Sequence, residues 1–227
     1  MALPGPADHE TTRIYVSLLG AGAAALAVPR LTQAQAQGGP VEGKHYVRLS
    51  QPLPTAAGPD KIEVIEFFWY GCPHCAAFEP ELESWVRRLP ADVSFKVVPA
   101  SFGGEAFVAH QRLFYALEAA GLIPTLHRKV FYAIHNERQR LDKPAEILAF
   151  LTKNGADAAK VMETYNSFGM QTKLRQANQL VDGYKIDGVP AIGLQGRFYT
   201  SGLLAGDNTR ALAVADYLLQ TLRNKTR

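Results

Sequence analysis

Cysteine is nearly missing from this sequence, with two residues in 227. Two thiols cannot staple a disulfide-dense scaffold, nor supply a four-thiolate metal site. Charge is also sparse. Asp, Glu, Lys and Arg make up 20% of the chain and leave a net charge of +3, which excludes charge-rich disorder and a nucleic-acid-binding tail. Glycine and proline, at 19 and 14 residues, are too few for collagen or a low-complexity linker. No internal repeat is visible. What remains is 47% apolar content over a length that can bury a substantial core.

Long apolar runs are absent but for one. Ile14 to Pro29 carries no charge and follows Arg13. It is shorter than the roughly 20 residues of a bilayer span and suits the apolar region of a secretory signal. Ala34-Gln35-Ala36 then reads as an A-x-A cleavage site, which predicts a signal peptide over 1–36 and a mature chain from about Gln37. Asp8, His9 and Glu10 are unusual before such a core, so an uncleaved anchor is the alternative. Export to an oxidising compartment is expected.

The remaining chain changes texture twice. His45–Leu49 is a short strand-like piece, and Ile62–Trp69 is a strong strand, β-branched at its start and aromatic at its end. A helix begins at Pro73, a residue suited to the first helical position, with Phe78, Leu82, Trp85 and Leu89 on one face. Pro80 should kink it and Pro90 help to end it. Val93–Val98 is the next strand, so strand, helix and strand predict a parallel βαβ unit. Residues 104–184 then read as helices only. After them come Pro190–Leu194, a Gln195-Gly196 turn and Arg197–Thr200, a hairpin pattern. A last helix carries Leu212, Ala215, Leu218 and Leu222 inward, capped by Asp207 or Asn208.

Both cysteines fall at the first strand-to-helix junction, as Cys72-Pro73-His74-Cys75. A helix N-terminus presents unpaired N–H groups and partial positive charge, which favour an anion. Cys72 occupies or adjoins the N-cap, His74 adds positive charge if protonated, and Pro73 fixes the loop. Each effect lowers the Cys72 pKa below that of a free thiol. A stabilised thiolate stabilises the dithiol and makes the disulfide an oxidant that is readily given away. Cys75, one turn into the helix, should be the more buried, resolving thiol. The alternatives are an inert bridge, two buried thiols, or a zinc site needing two further ligands.

Two signals stand apart from the cysteines. Gly188-Val189-Pro190-Ala191 heads the late strand. A trans Val189–Pro190 bond is the default; a cis bond would turn the Val189 backbone towards the cysteines, where it could pair with an extended peptide. Glu66 lies within an apolar strand, on the face of Ile62, Val64 and Phe68, and Lys96 interrupts the neighbouring strand. An unpaired carboxylate there would be costly. We expect either a buried Glu66–Lys96 pair that relays or buffers the Cys75 proton, or a satisfied strand-edge acid and a surface lysine. Phe68 is read as core, whereas Trp69 and Tyr70 could be core or peptide-binding.

The segment Glu66-Phe67-Phe68-Trp69-Tyr70-Gly71-Cys72-Pro73-His74-Cys75, followed by Phe78-Glu79, resembles the active-site segment of the DsbA family of bacterial periplasmic thiol–disulfide oxidases. Gly188-Val189-Pro190-Ala191 resembles its cis-proline loop. The resemblance implies an α/β chain with a thioredoxin fold (37–103 and 185–227) and an inserted all-helical domain (104–184). It implies Cys72 as nucleophile, Cys75 as buried partner, His74 as tuning residue, Pro190 as cis-proline and Glu66–Lys96 as a buried charged pair. It further implies no cofactor, unfolded or partly folded exported proteins as substrates, reoxidation by a membrane quinone reductase of the DsbB type, and a monomer. Trp69-Tyr70-Gly71 is not the commonest form of that segment, and its glycine is expected to loosen the loop. Rival readings are a reductase or isomerase on the same fold, and a peptide-binding chaperone with a vestigial redox pair.

Overall fold

The computed structural model describes residues 38–225; the predicted signal peptide and its cleavage site lie outside them. The first long strand is β2 (Ile62–Phe68), after a two-residue β1 (Val47–Arg48). Helix α1 (Pro73–Val86) crosses to β3 (Val93–Pro99), which pairs parallel to β2, the βαβ unit that the sequence predicts. Five helices follow: α2 (Glu105–Ala119), α3 (Ile123–His135), α4 (Pro144–Lys153), α5 (Ala158–Asn166) and α6 (Phe168–Gly183). Then come β4 (Ala191–Leu194), β5 (Phe198–Ser201), a short α7 (Gly202–Ala205) and α8 (Asn208–Lys225). The sheet order is β1-β5-β4-β2-β3. No helix among the described residues is long and apolar enough to cross a membrane.

Local chemistry explains the joints. Gln195 and Gly196 take φ of +51° and +61°, the primed turn that matches the twist of a two-residue hairpin. Glycine is needed there because a Cβ would strike the Leu53 carbonyl. Asp207 caps α8 by accepting from Arg210 N–H at 2.7 Å. Pro80 sits inside α1, which nevertheless runs to Val86; Leu89 falls beyond the helix and packs on the core from the loop.

Strand alternation places two cores. Val64 packs with Phe78, Leu82 and Trp85 of α1 and with α8. Ile65 and Phe67 join the larger cluster, which takes in the helical block through Leu113, Phe114, Val130 and Phe131. Phe68 is fully buried there, as its apolar context predicts. Burying each such side chain contributes about 1.5–3 kcal/mol. Helix α1 packs on α3, and the junction of β2 with α1 carries both cysteines.

Candidate active site

Cys72 is the N-cap of α1, with φ −87° and ψ 115°. This extended backbone folds the sulfur back over its own helix, where Cys75 N–H donates to Cys72 Sγ at 3.4 Å. Both cysteines are free; Cys72 is 7% exposed and Cys75 fully buried. The Cys72 pKa is lowered to about 6, chiefly by the hydrogen bond from the Cys75 thiol. The backbone N–H groups of Cys75 and His74 and the His74 charge add to this, against the opposing effect of burial. Burial, the donation to Cys72 and its negative charge push the Cys75 thiol far up, with Glu66 adding to the effect. One sulfur is built to ionise and its neighbour to stay protonated.

Val189–Pro190 is cis, as the family resemblance implies and against the default for an isolated proline. The Val189 carbonyl accepts from the Cys72 thiol at 3.4 Å. His74, Val189, Pro190, Gly202 and Leu203 line an open groove of about 530 Å³ beside the cysteines, and Leu203 is 92% exposed at its rim. His74 and Pro73 are exposed at the mouth of the site.

The loop before Cys72 is held by aromatic and histidine contacts. Tyr70 is fully buried; its carbonyl accepts from His135 Nε2–H at 2.8 Å, and its hydroxyl meets His127 Nδ1 at 2.8 Å. Trp69 is half-buried and stacks on Phe107 with ring centres 4.1 Å apart. Gly71, expected to loosen the loop, instead lies against the Trp69 indole, where a Cβ would collide. Its lack of a side chain lets Trp69 close over the backbone. Tyr70 is therefore core, whereas half-buried Trp69 keeps part of its surface open.

The expected Glu66–Lys96 pair does not form. Residues opposite each other in register share a face, and Lys96 lies opposite Ile65 while Glu66 lies opposite Val97. Lys96 therefore projects on the other face of the sheet. There its Nζ pairs with Glu63 Oε2 at 2.8 Å. That carboxylate also accepts from Ala56 N–H at 3.0 Å. Lys96 is thus a structural partner of Glu63, remote in chemistry from the cysteines.

Glu66 instead meets Glu79 of α1. Both are buried, neither oxygen of Glu66 has a hydrogen-bond partner among the described residues, and burial, reinforced by the charge of Glu79, pushes the Glu66 carboxyl well up. Glu79 in turn stands 3.4 Å from His127 Nε2. Sequence reasoning did not single out either as an acid–base group, although both carried a signal. Glu79 lies among the inward positions Cys75, Phe78 and Leu82 of α1, and His127 among Leu126, Val130 and Phe131 of α3.

The DSBA-like thioredoxin domain family matches residues 63–213. A thiol:disulfide interchange protein DsbA from Pseudomonas aeruginosa is 43% identical over 181 residues, 80% of this chain and 85% of the relative. The DsbA of Bordetella parapertussis is 42% identical over 206 residues, 90% and 95% of the two chains. The crystal structure of Pseudomonas aeruginosa DsbA superposes with a TM-score of 0.79 at 42% identity, covering 82% of this chain and 96% of that one. The oxidoreductase DsbA of Xylella fastidiosa gives 0.75 at 31% identity, covering 82% and 98%.

Proposed function

Because this chain belongs to the DSBA-like thioredoxin domain family, we propose that it is a thiol–disulfide oxidase that donates a Cys72–Cys75 disulfide to exported proteins. The observation that carries this reading is the asymmetry of the pair: a thiolate-stabilising N-cap under Cys72 and a sealed, protonated Cys75. A substrate thiolate attacks the Cys72 sulfur, the Cys72–Cys75 bond breaks, and Cys75 leaves with the electron pair and takes a proton. A second substrate thiolate then attacks the substrate sulfur of the mixed disulfide, and Cys72 leaves as a stabilised thiolate.

His74 and Pro73 shape the electropositive start of α1. The Val189 backbone and Pro190 receive an extended substrate segment along the groove, in β-fashion. Glu66 holds the proton that Cys75 exchanges. Lys96 has no part in this scheme. Residues 37–103 with 185–227 form the thioredoxin-like domain and 104–184 the inserted helical domain. The substrates are unfolded or partly folded secreted proteins, the reoxidant is a membrane quinone reductase of the DsbB type, and the chain works as a periplasmic monomer after loss of 1–36.

The test is stoichiometric oxidation of a reduced, unfolded protein by the purified disulfide form. Transfer of one disulfide per molecule, abolished by Cys72→Ser, is the expected result. Failure of the wild-type protein to oxidise that substrate would exclude the oxidase and leave the reductase or chaperone reading.

A further inference from the structure

Three histidines surround the loop of Tyr70, and they are not alike. His135 Nε2–H donates to the Tyr70 carbonyl and His110 Nε2–H to the Arg140 carbonyl, at 2.8 and 2.9 Å. A carbonyl only accepts, so each of these rings is fixed as a donor at that nitrogen. His127 differs. Its Nδ1 faces the Tyr70 hydroxyl at 2.8 Å and its Nε2 faces Glu79 Oε1 at 3.4 Å. Burial holds the Tyr70 phenol well above its ordinary range, so the hydroxyl keeps its proton. A hydroxyl both donates and accepts. It can donate to Nδ1 of the neutral ring, leaving the ring proton on Nε2, which stands 3.4 Å from Glu79 Oε1 with no hydrogen bond between them. It can equally accept from Nδ1–H of the imidazolium. The Tyr70 contact survives either protonation state, and the Nε2 side stays open towards the Glu79 carboxylate, which a histidine serving only as a packing element does not require.

The surroundings supply a route. A cavity of about 270 Å³ is lined by Glu66, Glu79 and His127 and also by Glu83, Arg87 and Arg128. The side chains of Arg87 and Arg128 are 69% and 63% exposed, so the cavity runs from the buried acids to the surface. The charged and titratable groups facing His127 are Glu79, Glu83 and Arg87 from α1, Glu66 from β2, Tyr70 from the loop and Arg128 beside it on α3. From α2 it meets Phe114, a ring without charge.

We propose that His127 is a positioning residue for disulfide transfer: it returns to the Glu66–Glu79 pair the proton which that pair gives to Cys75, and draws its own from solvent through this cavity. The proposal rests on the oxidase reading above. When the Cys72–Cys75 bond breaks, a substrate–Cys72 bond forms and the electron pair stays on Cys75. The carboxyl proton passes to Cys75, the imidazolium passes one to the carboxylate pair, and solvent reprotonates the ring. Only the substrate, Cys72 and Cys75 sulfurs take part in bond exchange.

The experiment is rapid mixing of the disulfide form with a reduced cysteine peptide from about pH 5.5 to about pH 8.5, for wild type and His127→Gln. Transfer by the variant should fall about tenfold at the acid end, where the wild-type ring holds the proton it passes on, and approach wild type at the alkaline end, where that ring has none to give. The Cys72 thiolate absorbance should titrate as in wild type. Equal rates at every pH, or a loss independent of pH, would overturn the proposal. If wild type itself transfers no disulfide, the oxidase reading fails first. Should His127→Gln not fold, NMR of the wild-type protein decides: the His127 ring signals should shift when the cysteine pair is reduced, and unchanged signals would refute the coupling.

Discussion

The lowered Cys72 pKa makes folding of the dithiol form pH-dependent, with a definite sign. Cys72 is an acid whose folded pKa, about 6, lies below its ordinary value of 9.0. Its contribution to stability is therefore complete above about pH 9 and is lost as pH falls through about 6. Complete ionisation is worth about 4 kcal/mol. At about pH 7 the folded protein holds about ten thiolates per thiol, while an unfolded chain holds about one in a hundred, and the contribution is about 1.4 kcal/mol. The same amount favours the dithiol over the disulfide, which does not ionise. Urea unfolding of the reduced protein across this range, with Cys72→Ser as reference, isolates the effect. The wild-type advantage should grow from near zero at about pH 5, through about 1.4 kcal/mol at about pH 7, towards about 4 kcal/mol at about pH 9. A difference that does not change with pH would refute the assignment of a stabilised thiolate to the N-cap.

Three other outcomes follow from the contacts around the site. Glu66→Gln should stabilise the protein at neutral pH, because the wild-type carboxyl is held protonated by burial while the unfolded one ionises; the gain should shrink as pH falls towards the ordinary carboxylate range, and its absence in denaturation curves would contradict the buried acid. Lys96→Met removes the partner of buried Glu63 and should cost about 1–3 kcal/mol, yet leave the Cys72 thiolate titration unmoved; a displaced titration would restore Lys96 to the site. Gly71→Ala should push the Trp69 indole off the loop, change its fluorescence and cost about 1–3 kcal/mol; an unaltered emission spectrum would show that the indole does not close over this backbone.

The elements nearest the cysteines were legible because their signals are local. A β-branched strand ending at a Cys-Pro junction, a Gln-Gly turn and an Asp cap each act within a few residues, and all stand where the sequence places them. Boundaries were less so. Helix α6 starts at Phe168, six residues before the apolar stripe becomes clear at Leu174, since its first turns include the 89% exposed Phe168. The Glu66–Lys96 pairing failed for a different reason. Which face a residue takes is set within its own strand, but whether two strands align those faces depends on register. Neither segment encodes the register alone. The actual company of Glu66 comes from α1 and α3, and His127 lies 61 positions downstream of it. Only the tertiary fold brings a carboxylate on one helix and an imidazole on another to the same buried acid.

The equilibrium of the Cys72–Cys75 pair in a glutathione buffer bears most directly on the assignment of an oxidising donor. At a poise of about −200 mV the protein should be largely in the dithiol form, having passed its disulfide to glutathione. A pair that stays oxidised in that buffer, as structural disulfides with potentials below about −300 mV do, would contradict it.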